Sequence, residues 1–507
     1  LCTPPSLSQV RNSYIVTLEV LFLPVCSLYL NFGFHSYFHL HRKFETGPLI
    51  AQFHFGKFLV ALSHQVLLMG ISVEMRRYKD ILALKSEEGT LLAFHARNME
   101  VAQISEDAWS QMNPTTLLSS TPSDLVLKEC EAIEELKTWN HENNAEVKTS
   151  KINNTIRFLT INVTQICNLH CTYCAAGGDG TFGDSIAKIS IEKTLPQIKF
   201  FLDRLPAGVS FNVSFLGGEP LLYAEGLELI ANYITHVAPE RKVNYTIITN
   251  GTLLTDKNVD LLARMKATVT VSLDGPADIN DRMRPTKNGA SSTAMIVQGL
   301  EKVLARKAEF SHVMIHGVFD SNNMELAKAY EFYSQFNVDS YDFSFSVSDT
   351  NPRATQEYME QMTQVASLAF AKGGETALRK IRAFEQHFQS LDQQRRTENY
   401  CGAGKSFLMI DARNQIYTCP WDVNEKKEQV GQGTELNEQA LAKYQKPLLE
   451  QNNCENCWAR FLCGGGCMFA HKHGSGSKNI KNTQFCERTR FMVALALIYY
   501  EKCRWAA

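Results

Sequence analysis

The chain has 507 residues, 44% of them apolar and 21% charged, with a formal net charge of −2. That length accommodates roughly two to four domains, and the balance is that of an ordinary globular protein. No long basic run is present, which removes the electrostatic basis for a nucleic-acid partner.

The chain opens at Leu1 and its first methionine is Met69. Residues 13–32, SYIVTLEVLFLPVCSLYLNF, are apolar enough to raise a membrane helix or a signal segment. Glu19 interrupts the run, Pro24 would kink a helix, and no small-residue cleavage pattern follows. Residues 1–75 are therefore read as an extension outside the native fold, and no membrane association is expected.

Regular patterning begins at Tyr78. DILALKS and TLLAFHA alternate around Glu87-Glu88-Gly89, which predicts a β-hairpin, and MEVAQIS predicts a third strand. Ser105 is placed to cap a helix with Glu106 and Asp107 in its first turn, and more helix is expected from Ser123 to Trp139. Residues 76–148 thus read as a small module of three strands and helices, and the polar stretch Asn140–Asn154 as a linker.

From 155 to 350 strand and helix alternate. The strand runs are IRFLTINV, VSFNVSFL, VNYTIITN, ATVTVSLD, HVMIHGVF and SYDFSFSV, with helices such as Leu222–Val237 and Asp256–Lys266 between them. Six such units predict an α/β fold with a parallel sheet, an open or partial (β/α)6 barrel. Sites on such folds gather at the C-terminal ends of the strands. Residues 351–400 read as a helical bridge, and 401–507 as a cysteine-rich region ending in an apolar helix, RFMVALALIYYEK.

The 14 cysteines are unevenly spread: three crowd near residue 170 and seven lie between Cys401 and Cys486. These are metal-ligand spacings, which favour a reducing, cytoplasmic location over a disulfide framework. Cys167, Cys171 and Cys174 form C-x3-C-x2-C directly after the first strand. Three thiolates suit an iron–sulfur cubane with one iron left open; a zinc or structural cluster with a distant fourth cysteine is the alternative. FLGGEP ends the second strand; Gly217 and Gly218 allow close approach to the backbone, and Glu219 can accept from an ammonium. VSLDG, with Ser272 and Asp274, ends the fourth strand; Asn250 ends the third; Arg284 follows in DRMRP. The C-terminal spacing is Cys401-x17-Cys419, then Cys454-x2-Cys457-x5-Cys463-x3-Cys467, then x18-Cys486, for which a double zinc site is the alternative.

Together these motifs resemble radical S-adenosylmethionine (SAM) enzymes. The resemblance implies that the first cysteines hold a SAM-binding [4Fe–4S] cluster and that Tyr173 packs beside the adenine. It implies that the GGEP motif receives the methionine amino group, and that Ser272 and Arg284 bind the SAM carboxylate with Asn250 lining the pocket. The C-terminal block resembles the SPASM domain of peptide-modifying members, which implies two auxiliary [4Fe–4S] clusters, three in all. Cys454, Cys457, Cys463 and Cys486 would hold one. Cys401, Cys419 and Cys467 would hold the other, with substrate, water or Cys503 as fourth ligand. Asn414 stands where the family often has glycine, and Phe407 where sulfatase maturases carry an extra cysteine. Cys2, Cys26 and Cys130 are given no role.

The 76–148 module resembles the winged-helix-like recognition element of ribosomal-peptide maturases, and AAGGDGTFGD after Cys174 resembles the loop of thioether-forming ranthipeptide and sactipeptide enzymes. The activity implied is thioether crosslinking, through a 5′-deoxyadenosyl radical, of a precursor peptide with a leader and a cysteine-containing core. A flavodoxin or ferredoxin would supply electrons. Formylglycine-forming sulfatase maturation and a non-catalytic iron–sulfur or zinc scaffold are the alternatives. Asp274, Asp411 and Asp422 are considered as a general base, and none is assigned.

Overall fold

The computed structural model describes residues 65–68, 71–85, 89–117, 136–139, 148–150, 155–174, 185–186 and 188–505, all within one compact unit, Leu62–Ala507. The apolar stretch 13–32, Cys2, Cys26, Cys130 and the glycine-rich loop 175–184 lie outside the described residues.

The N-terminal sheet is an antiparallel meander of β1 (Gln65–Leu68), β2 (Ile71–Tyr78), β3 (Ile81–Lys85), β4 (Leu91–His95) and β5 (Glu100–Gln103); β6 (Asn113–Pro114) pairs back onto β2. The β3–β4 hairpin runs from Ile81↔His95 to Lys85↔Leu91, and Gly89 takes the positive φ that its turn needs. Ser105 caps the helix Glu106–Gln111 by accepting from the Ala108 amide. Alternation divides β3 between two cores. Ile81 and Ala83 pack with Trp109, Met112 and Leu136, while Leu82 and Leu84 join the main core.

Three expectations are corrected here. The sheet has six strands rather than three, and it starts at Gln65, so a boundary at 76 cuts through β2. That boundary followed composition, and Gln65–Tyr78 mixes apolar with basic residues. The polar linker also contributes a strand: β7 (Lys148–Ser150) pairs in parallel with β14 (Arg395–Thr397). Of the helix expected over Ser123–Trp139, residues 136–139 are helical and the remainder lies outside the described residues.

The central sheet carries six parallel strands in sequence order: β8 (Phe158–Thr164), β9 (Phe211–Gly217), β10 (Val243–Thr249), β11 (Thr268–Ser272), β12 (His312–Phe319) and β13 (Ser340–Phe345). This is the predicted α/β alternation, with helices such as Ala224–Val237 and Asp256–Arg264 between strands. One face buries Ile161, Phe215, Ile247, Val271 and Ile315 against the helices. The alternate residues of the opposite face are largely polar, Thr160, Asn162, Ser214, Thr270, Ser272, His316 and Asp342 among them. A helix-covered face and a polar concave face are what a partial barrel with an internal site requires.

The C-terminal region does not begin a separate sheet at residue 401. β15 (Phe407–Ile410) pairs in parallel with β8, in register Phe407↔Phe158 to Ile410↔Ile161. Antiparallel β16 (Gln415–Tyr417), β17 (Gln429–Gln432) and β18 (Glu435–Leu436) follow, making ten strands in one sheet. The bridge is two helices, Pro352–Arg379, broken at Gly373–Gly374, and Arg382–Asp392, followed by β14. The final helix, Thr483–Trp505, buries Phe491–Tyr500, with Tyr499 meeting Phe370 and Phe384 edge-on. Among the described residues, no helix is long and apolar enough to cross a membrane.

Candidate active site

β8 ends at Thr164 and runs into the loop that carries Cys167, Cys171 and Cys174. Backbone bonds pin this loop from two sides. His170 and Thr172 donate to the carbonyls of Pro285 and Met283, while the Gly218 and Glu219 amides donate to the carbonyls of Thr164 and Ile166. A Cβ on Gly217 would stand 2.2 Å from the Thr164 carbonyl oxygen, and one on Gly218 would stand 2.4 Å from the Ile166 carbonyl. These glycines permit a close approach to the cysteine loop's own backbone.

Glu219 is fully buried. Its Oε1 accepts from the Leu221 amide at 3.0 Å and Thr249 Oγ1 at 2.8 Å, and its Oε2 from the Asn250 amide at 2.7 Å. Burial pushes its carboxyl up to about 7, against those three donors. A carboxylate has about four lone-pair sites, so one remains for an ammonium. Asn250 faces the cysteine loop: its Nδ2 donates to Asn168 Oδ1 at 2.9 Å and lies 3.6 Å from Cys167 Sγ. Thr252 closes the set by donating to Asn250 and accepting from Asn168.

Partly buried Tyr173 joins the buried Asp274 and Arg284 in a triad. The Tyr173 hydroxyl donates to Asp274 Oδ2 at 2.5 Å, and the Arg284 guanidinium lies 5.2 Å above the Tyr173 ring. Arg284 Nε is 3.0 Å from Asp274 Oδ2, near enough for an ion pair but not aligned for a hydrogen bond. Asp274 Oδ1 accepts from the Val318 amide. Asp274 is therefore a charge partner, not a free base. Arg284 and Cys171 lie within electrostatic reach, so the arginine stands beside the loop as expected, but paired. Ser272 ends β11 in register with His316 on β12. His316 Nδ1 in turn meets Asp342 Oδ2 at 3.0 Å.

Every described cysteine is a free thiol. Cys167, Cys171 and Cys174 interact electrostatically as one group; Cys454, Cys457, Cys463 and Cys486 as a second; and Cys401, Cys419 and Cys467 as a third. Burial raises the thiols of Cys167, Cys401, Cys419, Cys463, Cys467 and Cys486 above their ordinary range, that of Cys171 to about 12 and that of Cys454 to about 11. Cys503 belongs to none of these groups. Its neighbours are Glu375 and Arg379, so its proposed part as a fourth ligand is corrected: the final helix carries it away from Cys401.

Each of the two remaining aspartates is held by local partners, though Asp411 Oδ2 is buried with no hydrogen-bond partner. Asp411 Oδ1 accepts from the amides of Arg413 and Gln415 and shapes the β15–β16 turn. Asn414 completes that turn at φ 61°, the left-handed backbone that glycine would supply. Its side chain donates to Thr194 Oγ1 and Gln197 Oε1, tying the hairpin to the helix Ile191–Leu202. Asp422, fully buried, accepts from Lys472 and Lys478, which also hold Glu425 and Glu428.

Among the described residues, no three His, Cys, Asp or Glu side chains close on a single ion position. A cubane asks for something different, one thiolate per iron. The donor sets fit it: thiols outside any disulfide, in groups of three, four and three, most of them partly buried, with the buried Nε of Arg490, beside Cys486, lacking an acceptor.

A parallel half-barrel whose first strand delivers three thiols beside a glycine–glycine–glutamate turn defines a radical SAM domain. Residues 161–333 match the Radical SAM superfamily, and this segment of the chain belongs to it. The mycofactocin maturase of Mycobacterium ulcerans is 27% identical, over 62% of this chain and 83% of that one. The serine-type anaerobic sulfatase-maturating enzyme of Klebsiella pneumoniae is 24% identical, over 62% and 82%. The solved structure of native anSMEcpe with bound AdoMet and Kp18Cys peptide shares the fold. Its TM-score is 0.59 at 19% identity, covering 69% of this chain and 99% of that chain.

Sequence reading missed Asn168, Thr252, the His316–Asp342 pair and the Lys472–Lys478 network. Asn168 lies inside the Cys167-x3-Cys171 spacing and Thr252 just past the VNYTIITN run, where both pass as turn residues. The others pair across strands or segments with no sequence spacing to mark them.

Proposed function

We propose that the protein is a radical SAM maturase that forms thioether crosslinks in a ribosomally made precursor peptide. The observation that carries the reading is the sorting of ten thiols into three groups, the first locked by backbone bonds to the GGEP turn and to Met283 and Pro285. Cys167, Cys171 and Cys174 would hold the SAM-binding cluster, Cys454, Cys457, Cys463 and Cys486 one auxiliary cluster, and Cys401, Cys419 and Cys467 the other. When bound, SAM and its cluster supply a 5′-deoxyadenosyl radical that removes a hydrogen atom from substrate.

The chain's own residues do the positioning. Glu219 offers its remaining lone pair to the methionine ammonium of SAM. Arg284, steadied by Asp274, keeps its terminal nitrogens for the carboxylate, with Ser272 beside it. Tyr173, donating to Asp274, presents its ring beside the adenine, and Asn250 closes the pocket over Cys167. The trio Cys401, Cys419 and Cys467 leaves one cubane iron without a protein thiolate, which suits a substrate cysteine. The N-terminal module would take the leader peptide by strand addition, a flavodoxin or ferredoxin would supply electrons, and the reaction would run in the cytoplasm. Relatives that are peptide or protein maturases support this reading.

Co-expression with a short cysteine-containing peptide from a neighbouring reading frame tests the proposal: each bridge removes two hydrogens, read by mass spectrometry, and an unchanged mass counts against it. Sulfatase maturation is the second reading, favoured by the Klebsiella relative. Phe407 weighs against it, being built into β15 and its apolar contacts where those enzymes carry a cysteine. A sulfatase-derived peptide converted to formylglycine would reverse the order.

A further inference from the structure

Three arginines, all nearly excluded from solvent, converge on the four-thiol group. Arg77 of β2 donates from Nη2 to the carbonyl of Asn456 at 2.6 Å, within the Cys454–Cys457 loop, and lies within electrostatic reach of Cys457. Arg460 donates from Nη1 to the carbonyl of Cys457 at 3.0 Å and from Nη2 to Asp80 Oδ1 at 2.6 Å. Arg490 lies one helical turn beyond Cys486, donates from Nη1 to the carbonyl of Leu117, and keeps a buried Nε with no acceptor. Arg77, Arg460 and Arg490 are 3%, 5% and 6% exposed, too little for water to screen them.

The opposing charge within the protein is limited. Asp80 divides its oxygens between Arg460 and the exposed Arg97, Glu455 stands near Cys454, and the partly buried Glu487 lies within electrostatic reach of Arg490 and Arg488, but Lys481 and Arg488 add further positive charge around Cys454 and Cys486, so the cations outnumber the carboxylates. Buried cations are stable only beside compensating negative charge. A cubane on four thiolates is an anion, and its sulfurs accept hydrogen bonds.

We propose that Arg77, Arg460 and Arg490 form a cationic cage that raises the reduction potential of a cluster on Cys454, Cys457, Cys463 and Cys486, with the N-terminal sheet as one wall. The inference rests on the auxiliary-cluster reading above. Reduction adds negative charge, which nearby fixed cations favour. The sheet that begins at Gln65 is on this account a component of the C-terminal redox site, through Arg77 directly and through Asp80, which orients Arg460.

The test is an EPR-monitored redox titration of the full-length, anaerobically reconstituted protein. Arg77→Gln and Arg490→Gln, which keep a hydrogen-bond donor and lose the charge, are expected to move one auxiliary midpoint to lower potential. Arg490→Lys is expected to restore most of that shift, and Arg264→Gln, on an exposed barrel helix, to leave all midpoints in place. Loss of this cluster's irons alone, with the melting transition retained, also supports the cage. Midpoints unmoved in both glutamine variants at full iron content overturn it. Wild-type protein that binds only about four irons per chain sinks the auxiliary-cluster reading instead.

Discussion

Arg284 Nε and Asp274 Oδ2 stand 3.0 Å apart with both side chains nearly excluded from solvent, so the cation beside the cysteine loop is neutralised before any ligand arrives. Removing one member of a buried pair strands the other. Asp274→Ala is therefore expected to destabilise the protein by about 3–5 kcal/mol, more than an exposed pair such as Arg264–Glu228, for which about 0–1 kcal/mol is typical. Urea denaturation of the two variants makes the comparison; equal losses contradict the assignment of Arg284 and Asp274 as a mutually required pair.

Glu219 gives the site a pH dependence. Its carboxyl is raised in the folded chain from 4.5 to about 7, chiefly by burial. The folded state then binds more protons than the unfolded state between those values, and stability falls as pH rises through that window. The contribution is present below about 4.5 and lost above about 7, at most about 3 kcal/mol. In SAM-free protein, the decline in melting temperature from pH 5 to pH 7 is expected to flatten in Glu219→Gln. An unchanged slope excludes Glu219 as its source.

Gly218→Ala would drive a methyl group into the Ile166 carbonyl carbon and oxygen, both 2.4 Å away, and into the Cys167 amide nitrogen at 2.8 Å. Neither contact is a flexible side chain, so the cysteine loop must move. Iron analysis is expected to fall by about four per chain, one cubane's worth, with the C-terminal clusters retained. Full iron content means that the loop tolerates the shift.

Asn414→Gly keeps the left-handed turn but deletes the bonds to Thr194 and Gln197. Two buried side chains each lose one donor, Thr194 Oγ1 and Gln197 Oε1 being left short, a cost of about 1–3 kcal/mol. Chemical denaturation checks it, and a neutral result would mean that water replaces the amide.

Cys503→Ser leaves the iron content unchanged, because its thiol sits with Glu375 and Arg379. Cys467→Ser, inside the third group, is expected to lose a cluster. Equal losses in the two variants would return Cys503 to the ligand set.

Strand positions in the barrel were legible because each strand is a short β-branched or aromatic run between capped helices; His312–Phe319 matches its run residue for residue. The thiol grouping was also legible, because spacing along the chain and the resemblance agree. What stayed hidden depends on partners distant in sequence. FLMI at β15 gives no sign that it will lie beside β8, since four apolar residues fit any interior. Asp274 stayed among the unassigned candidate bases because Tyr173, 101 residues away, and the Val318 amide were invisible in the sequence. The N-terminal sheet buries β3 and β4 on both faces, which blurs the alternation that marks a strand's outer side.

The parallel pairing of β15 with β8 makes the strand that launches the first cysteine loop an interior member of the sheet. A fragment ending before residue 400 would leave β8 as a bare margin of unpaired amides and carbonyls, open to strand exchange with other copies. The barrel is thus not a portable module: expressed without its C-terminal partner, it is expected to self-associate, and that margin is where association would begin.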